Sequence, residues 1–217
     1  MAPPIRPDDD AARAQAIAFL RQGAIVALPT DTVYGIAADL RLPDAIGRLF
    51  AAKARPPDKA VALLIADADQ ASVLGEVSPA ARVLAERFWP GGLTLVLPVR
   101  AGVTLPDALA GGTTVGVRVP DHACPRALAA ALGPLPTTSA NRSGAADARD
   151  AQAIADDLGD AVALVLDGGP IHGGPASTVV DCTTDRPTAL RVGALEPARL
   201  AAALDAAGLP HDLGMAR

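Results

Sequence analysis

Lysine is nearly missing from this chain. Of 19 lysine and arginine side chains only Lys53 and Lys59 are lysine, and both fall in the stretch KARPPDK. Aromatic residues are also few: Phe19, Tyr34, Phe50, Phe88 and Trp89. The core must therefore be built from alanine, leucine, valine and isoleucine. Cys124 and Cys182 lie far apart and form no CxxC, which excludes a disulfide scaffold and a cysteine metal framework. His122, His172 and His211 are scattered and share no ligand spacing, which argues against a zinc enzyme or a triad hydrolase. Positive charge is short as well: the net charge is −5 and the pI about 5.1. A protein held to nucleic acid by bulk charge would be basic. No apolar run approaches the ~20 residues of a membrane span. The opening MAPPIRPDDDAARAQ has no apolar run behind a basic head, so no signal peptide is visible. A soluble, cytoplasmic setting without membrane contact is the expectation. The nucleotide signatures GxxxxGK[ST] and GxGxxG are absent, as is the GxSxG nucleophile elbow.

What remains is a chain of 217 residues, half of them apolar, long enough for one domain or at most two. Asp8 to Asp10 offer N-caps for a helix that Gly23 closes. The runs AIVALPT, AVALLIA, LTLVLPV, TVGVRVP, PLPTTSA, AVALVLDGG, STVVDC and TALRVG read as strands. Between them PDAIGRLFAAK, SPAARVLAERF, ACPRALAAAL, DAQAIADDLG and EPARLAAALDAAG read as helices. This interleaving predicts an α/β domain with a mixed sheet flanked by helices. Two strand pairs have links too short for helical crossovers, so part of the sheet is expected to be antiparallel. The tail HDLGMAR is expected to fray.

Polar residues gather at strand ends. LPTDTVYG places Thr30, Asp31, Thr32 and Tyr34 just past a strand, and TTSANRSG places Thr137, Thr138, Ser139, Asn141 and Ser143 past another. Each could be a helix cap or an Asx turn. Arg118 and Arg191 sit within apolar strands, where a buried charge needs an anion or a carboxylate. Asp181 or Asp121 could serve as an internal partner, or a polyphosphate as an external one. No activated nucleophile is evident. Guanidinium forks, ammonium charges and hydroxyl donors instead suit transfer at phosphorus by positioning and charge stabilisation.

In order along the chain, LPTDTVYGIAAD, KARPPDKAVALLIAD, FWPGGLTLVLP, GVRVPDH, PTTSANRSG, STVVD and LRVGAL resemble the YrdC-like family, the threonylcarbamoyl-AMP synthases. These motifs run from Leu28 to Leu195. The resemblance implies a twisted mixed sheet around a deep concave cavity. It also implies a nucleotidyltransferase that joins L-threonine, bicarbonate or CO₂, and ATP into threonylcarbamoyl-AMP and pyrophosphate. Magnesium would accompany the ATP, with no metal ligand assigned to a protein side chain. The product would pass to a separate tRNA threonylcarbamoyl-transferase complex.

By the same resemblance Lys53 and Arg55 would grip the phosphates and the carbonate-derived group, with Lys59 assisting. Thr114, Ser139, Asn141 and Arg191 would hold the nucleotide. Thr32, Arg118, Thr137 and Ser177 would hold threonine, with Tyr34 shaping the adjoining wall. The chain looks like the short, single-domain form, residues 196–217 being a terminal helix and tail. Some longer members carry a histidine in the strand after KxR, where this chain has Leu63 and Leu64. An RNA-binding or ribosome-maturation role, with weak tRNA or duplex-RNA binding, is the alternative in the same family. The acidic charge speaks against it.

Overall fold

Asp9 starts the first helix: its side chain accepts from the Ala12 N–H at 2.8 Å. Neighbouring Asp8 turns instead to Arg13, which grips it with two bonds of 2.7 and 2.8 Å. In the computed structural model that gives these distances, the described residues are 2–53, 61–106, 109, 112–141, 148–171 and 174–214.

Within them the strands are β1 (Ile5–Pro7), β2 (Val26–Leu28), β3 (Gly35–Ala37), β4 (Ala62–Leu64), β5 (Leu93–Pro98), β6 (Thr114–Arg118), β7 (Leu135–Ser139), β8 (Leu164–Asp167), β9 (Thr178–Asp181) and β10 (Thr188–Arg191). The helices are α1 (Asp10–Arg21), α2 (Pro43–Ala52), α3 (Ala68–Leu74), α4 (Pro79–Phe88), α5 (Ala123–Leu132), α6 (Ala151–Leu158) and α7 (Pro197–Ala206). Strands and helices alternate as expected. Three elements were not anticipated: β1, β3 and α3.

The strands form one mixed sheet in the order β1-β8-β2-β3-β7-β4-β6-β5-β9-β10. The short links behave as predicted: β5 pairs antiparallel with β6, and β9 with β10. Side chains alternate across a sheet, so residues two apart share a face. On one face Ala27, Ile36, Leu63, Leu95, Val117 and Val180 pack against α2, α3, α4, α6 and α7. On the other, Val26, Leu28, Ala37, Leu64, Leu135 and Leu164 pack under α1 and α5. That second face continues across β4, β6, β5, β9 and β10, and there it changes character. Ala62, Leu64, Thr114, Gly116, Arg118, Thr94, Val96, Val179 and Arg191 line a pocket. One face is therefore hydrophobic floor at one end and pocket floor at the other.

Residues 211–214 of the tail depart from the expectation of fraying, and Met215–Arg217 lie outside the described residues. Leu213 is 3% exposed and packs in the core. Arg186 grips Asp212 with bonds of 2.6 to 3.1 Å, and His211 meets Asp205 at 3.0 Å. An apolar anchor between polar ties overrides the weak local pattern.

Candidate functional site

The pocket encloses about 480 Å³, a volume in the range of small-molecule and nucleotide sites. The loop after β2 enters it first. Thr30 Oγ1 donates to the Val33 carbonyl at 2.6 Å and accepts from the N–H groups of Thr32 and Val33. Thr30 is thus the turn-making hydroxyl that the local reading of PTDT describes. The turn leaves Thr32 free to reach across the sheet, where its Oγ1 accepts from Arg118 Nη1 at 2.9 Å.

Arg118 is at the end of β6, with its side chain 7% exposed. Its Nε donates to the Gly91 carbonyl at 2.9 Å and its Nη2 to Asp31 at 2.7 Å. The carboxylate partner is therefore Asp31, neither Asp121 nor Asp181. Asp181 instead caps its own turn through the Thr183 N–H and hydroxyl. Burial pulls the Arg118 guanidinium below the usual arginine value, Asp31 opposes that pull, and Arg191 adds to it.

Arg191 corrects a second expectation. It belongs to an edge strand and is exposed, not a buried charge. Its Nε and Nη2 clamp the Ser177 carbonyl at 3.1 and 2.9 Å, and Nη2 also reaches Ser177 Oγ at 3.1 Å. Ser177 Oγ meets Thr94 Oγ1 at 2.8 Å. The segment after β10 is pressed against the one before β9: a side chain on Gly193 would fall 2.0 Å from the Ala176 carbonyl. Glycine there lets the backbones close up, and this closure brings Arg191 onto Ser177. Thr94, 3% exposed, was missed in the sequence. A lone hydroxyl in the apolar run LTLVLP is the signal that could have found it.

Lys53 ends α2 and is 2% exposed. Its ammonium donates to the Ser139 carbonyl, to Ser139 Oγ at 2.9 Å and to Asn141 Oδ1 at 3.0 Å. Ser139 Oγ in turn donates to Asn141 Oδ1 at 2.6 Å. Lys53 of KARPPDK and Ser139 and Asn141 of TTSANRSG, far apart in sequence, thus form one buried cluster, with Ser139 as its pocket face. Arg55, Lys59, Ser143 and His172 lie outside the described residues. Thr114, Thr137 and Ser177 also line the pocket, as does Leu64 at the strand where some longer members have histidine.

Tyr34 is placed elsewhere. It is 1% exposed, is not among the lining residues, and turns its hydroxyl to the turn after β8. That hydroxyl accepts from the Gly168 N–H at 3.0 Å and donates to the Gly169 carbonyl at 2.8 Å. Burial pushes its pKa up to about 12, so it stays protonated and able to donate. Tyr34→Phe strands two backbone groups and is expected to lower stability by about 1–3 kcal/mol. Chemical denaturation should show that loss with the KM for the pocket's ligands little changed. A selective KM effect at full stability would return Tyr34 to the pocket wall.

The family model for the Sua5/YciO/YrdC domain, described as telomere recombination, matches residues 18–193. A threonylcarbamoyl-AMP synthase of Bacillus subtilis is 40% identical over 193 residues, 88% of this chain and 56% of that protein. One of Pyrococcus abyssi is also 40% identical, over 83% of this chain and 53% of that one. The chain thus spans about half the length of these two relatives. A putative threonylcarbamoyl-AMP synthase of Mycobacterium tuberculosis is 39% identical over 89% of this chain and 90% of its own. Among solved structures, P. abyssi Sua5 complexed with L-threonine superposes with a TM-score of 0.85 at 34% identity, covering 99% of this chain and 64% of that one. Escherichia coli YciO gives 0.76 at 27% identity, covering 88% and 93%. On the family model, these identities and the shared fold, the chain belongs to the Sua5/YciO/YrdC family.

Proposed function

We propose that this chain is an L-threonylcarbamoyladenylate synthase, a nucleotidyltransferase. L-threonine and bicarbonate give N-carboxythreonine and water. Its new carboxylate attacks the α-phosphorus of ATP, forming threonylcarbamoyl-AMP as the bond to pyrophosphate breaks. The observation that carries this reading is the pocket's donor set. Arg118 and Arg191 and the hydroxyls of Thr32, Thr94, Thr137, Ser139 and Ser177 line it, and no carboxylate stands among its described lining residues. The two guanidinium groups give this wall positive charge and N–H donors for anions, whereas the Ser139 and Thr137 hydroxyl protons are already given to Asn141 Oδ1 and the Leu135 carbonyl. The wall suits phosphate and carboxylate oxygens held in place while charge shifts between them. The relatives' names and the threonine-bound Sua5 structure support the choice of substrates.

In this scheme Arg118 forks onto the threonine carboxylate, with Thr32, Thr137 and Ser177 around the amino acid. Thr114, Ser139 and Arg191 face the nucleotide. Lys53 and Asn141 hold Ser139 in place, and the Lys53 charge acts on the phosphates from behind it. Arg55 and Lys59 complete the phosphate grip. Tyr34 supports the turn after β8. Magnesium would ride on the ATP phosphates and neutralise charge there, as this ion does without an all-protein cage. The product would feed threonylcarbamoylation of tRNA adenosine by a separate transferase complex, in the cytoplasm.

Incubation with ATP, bicarbonate and L-threonine should yield a product with the mass of threonylcarbamoyl-AMP and release pyrophosphate in step with it. Omitting threonine or bicarbonate should abolish both. Pyrophosphate release that ignores threonine would overturn the assignment.

A further inference from the structure

Asp31 stands beside the pocket without entering it. Thr30 and Thr32 on either side line the cavity, and Asp31 is not among the lining residues. Its carboxylate meets Arg118 Nη2 at 2.7 Å, with the two side chains 17% and 7% exposed. Arg118 does not need this contact to be held in place. Nε is bonded to the Gly91 carbonyl and Nη1 to Thr32 Oγ1, both at 2.9 Å. Two bonds from different nitrogens fix a planar guanidinium. What Asp31 adds is charge. Gly91 and Thr32 are neutral acceptors, and a guanidinium this buried is unfavourable without an anion. Arg191 lines the same pocket and adds a second positive charge.

We propose that Asp31 is the resting counter-ion of Arg118, and that it sets the affinity for the amino acid by opposing the substrate carboxylate at that guanidinium. This rests on the functional reading above, which makes the Arg118 ligand the carboxylate of L-threonine. A guanidinium has five N–H groups, and Gly91, Thr32 and Asp31 engage one on each nitrogen. Nη1 and Nη2 therefore each keep a second N–H for a ligand oxygen. A substrate bound there shares the cation with Asp31, and the two anions repel through it. The same carboxylate therefore stabilises the empty protein and loosens its hold on threonine. That is the trade between stability and activity at a site where one group serves both.

Asp31→Asn keeps an acceptor for Nη2 and removes the charge. The ligand-free variant should melt at a lower temperature than the wild type. Its dissociation constant for L-threonine, measured by calorimetry, should be about three- to tenfold smaller. The KM for threonine should fall with it while the KM for ATP stays within about twofold. L-threoninamide, which lacks the anion, should show no tightening. A purely structural Asp31 would give the lower melting temperature with unchanged or weaker threonine binding. That result, with normal binding by the wild type, overturns the proposal and leaves the functional reading standing. No threonine binding by either protein overturns the functional reading and this proposal with it. Should Asp31→Asn be recovered unfolded, refolding with L-threonine decides the matter. Recovery with threonine and not with threoninamide supports the proposal, and failure with threonine overturns it.

Discussion

Lys53→Ala is expected to lower kcat/KM for ATP by about 10²–10³-fold or more, the size of effect seen when a single preorganised donor is removed. Two losses combine. The ammonium charge disappears from behind the pocket wall, and Ser139 and Asn141 lose the group that fixes them. Stability should fall too, because the Ser139 carbonyl and Asn141 Oδ1 are left short of a donor, at about 1–3 kcal/mol for such groups. The two effects separate under conditions where circular dichroism shows the variant folded: it should still release no threonine-dependent pyrophosphate. Lys53→Arg should fail as well. The lysine is 2% exposed, and a flat guanidinium cannot point its donors at three acceptors set around a point. Full activity in either folded variant would remove Lys53 from the reaction.

KARPPDK shows how far the sequence could be read. Both lysines in one short stretch drew attention to an anion site, and Lys53 does lie in the buried cluster behind the pocket. The bonds it makes could not be foreseen. They join the end of α2 to the end of β7, and such a meeting depends on strand order, which local patterns do not encode. Arg118 illustrates the same limit. An arginine in the apolar run TVGVRVP announced a buried partner, and the candidates were Asp121 and Asp181. The true partner, Asp31, lies on the turn after β2, beyond several strands of the sheet.

The longer elements were legible because a helix of two or three turns or a run of apolar residues carries its own period. β1 and β3 were not. IRP and GIA are three residues each, too short for a period, and they form strands because β8 pairs with the first and β2 and β7 with the second. The family resemblance put Tyr34 at the wall beside Thr32. In a strand-like stretch residues two apart share a face, yet the turn at Thr30 breaks that parity. Tyr34 consequently points toward the turn after β8.

Arg118→Ala should raise the KM for L-threonine by at least about tenfold and up to 10⁴-fold, the range for a site whose polar groups are left unpaired. It should also lower stability by about 1–3 kcal/mol, because the Gly91 carbonyl and Thr32 Oγ1 lose their donor and Asp31 loses its cation. Lysine in place of arginine should rescue little, since an ammonium cannot serve Gly91, Thr32 and Asp31 at once and still offer a fork. The double variant Arg118→Met with Asp31→Asn separates the two roles. Replacing both members of a buried ion pair is often near neutral for stability where removing one is not. The double variant should therefore regain most of the melting temperature lost in Arg118→Ala and none of the threonine-dependent activity. If activity returned with stability, Arg118 would be only a strut for the loop after β2. If neither returned, the pair would have to be part of the packing itself. Recovery of the fold alone is the outcome that makes the guanidinium both a structural cation, balanced by Asp31, and the group that meets the substrate.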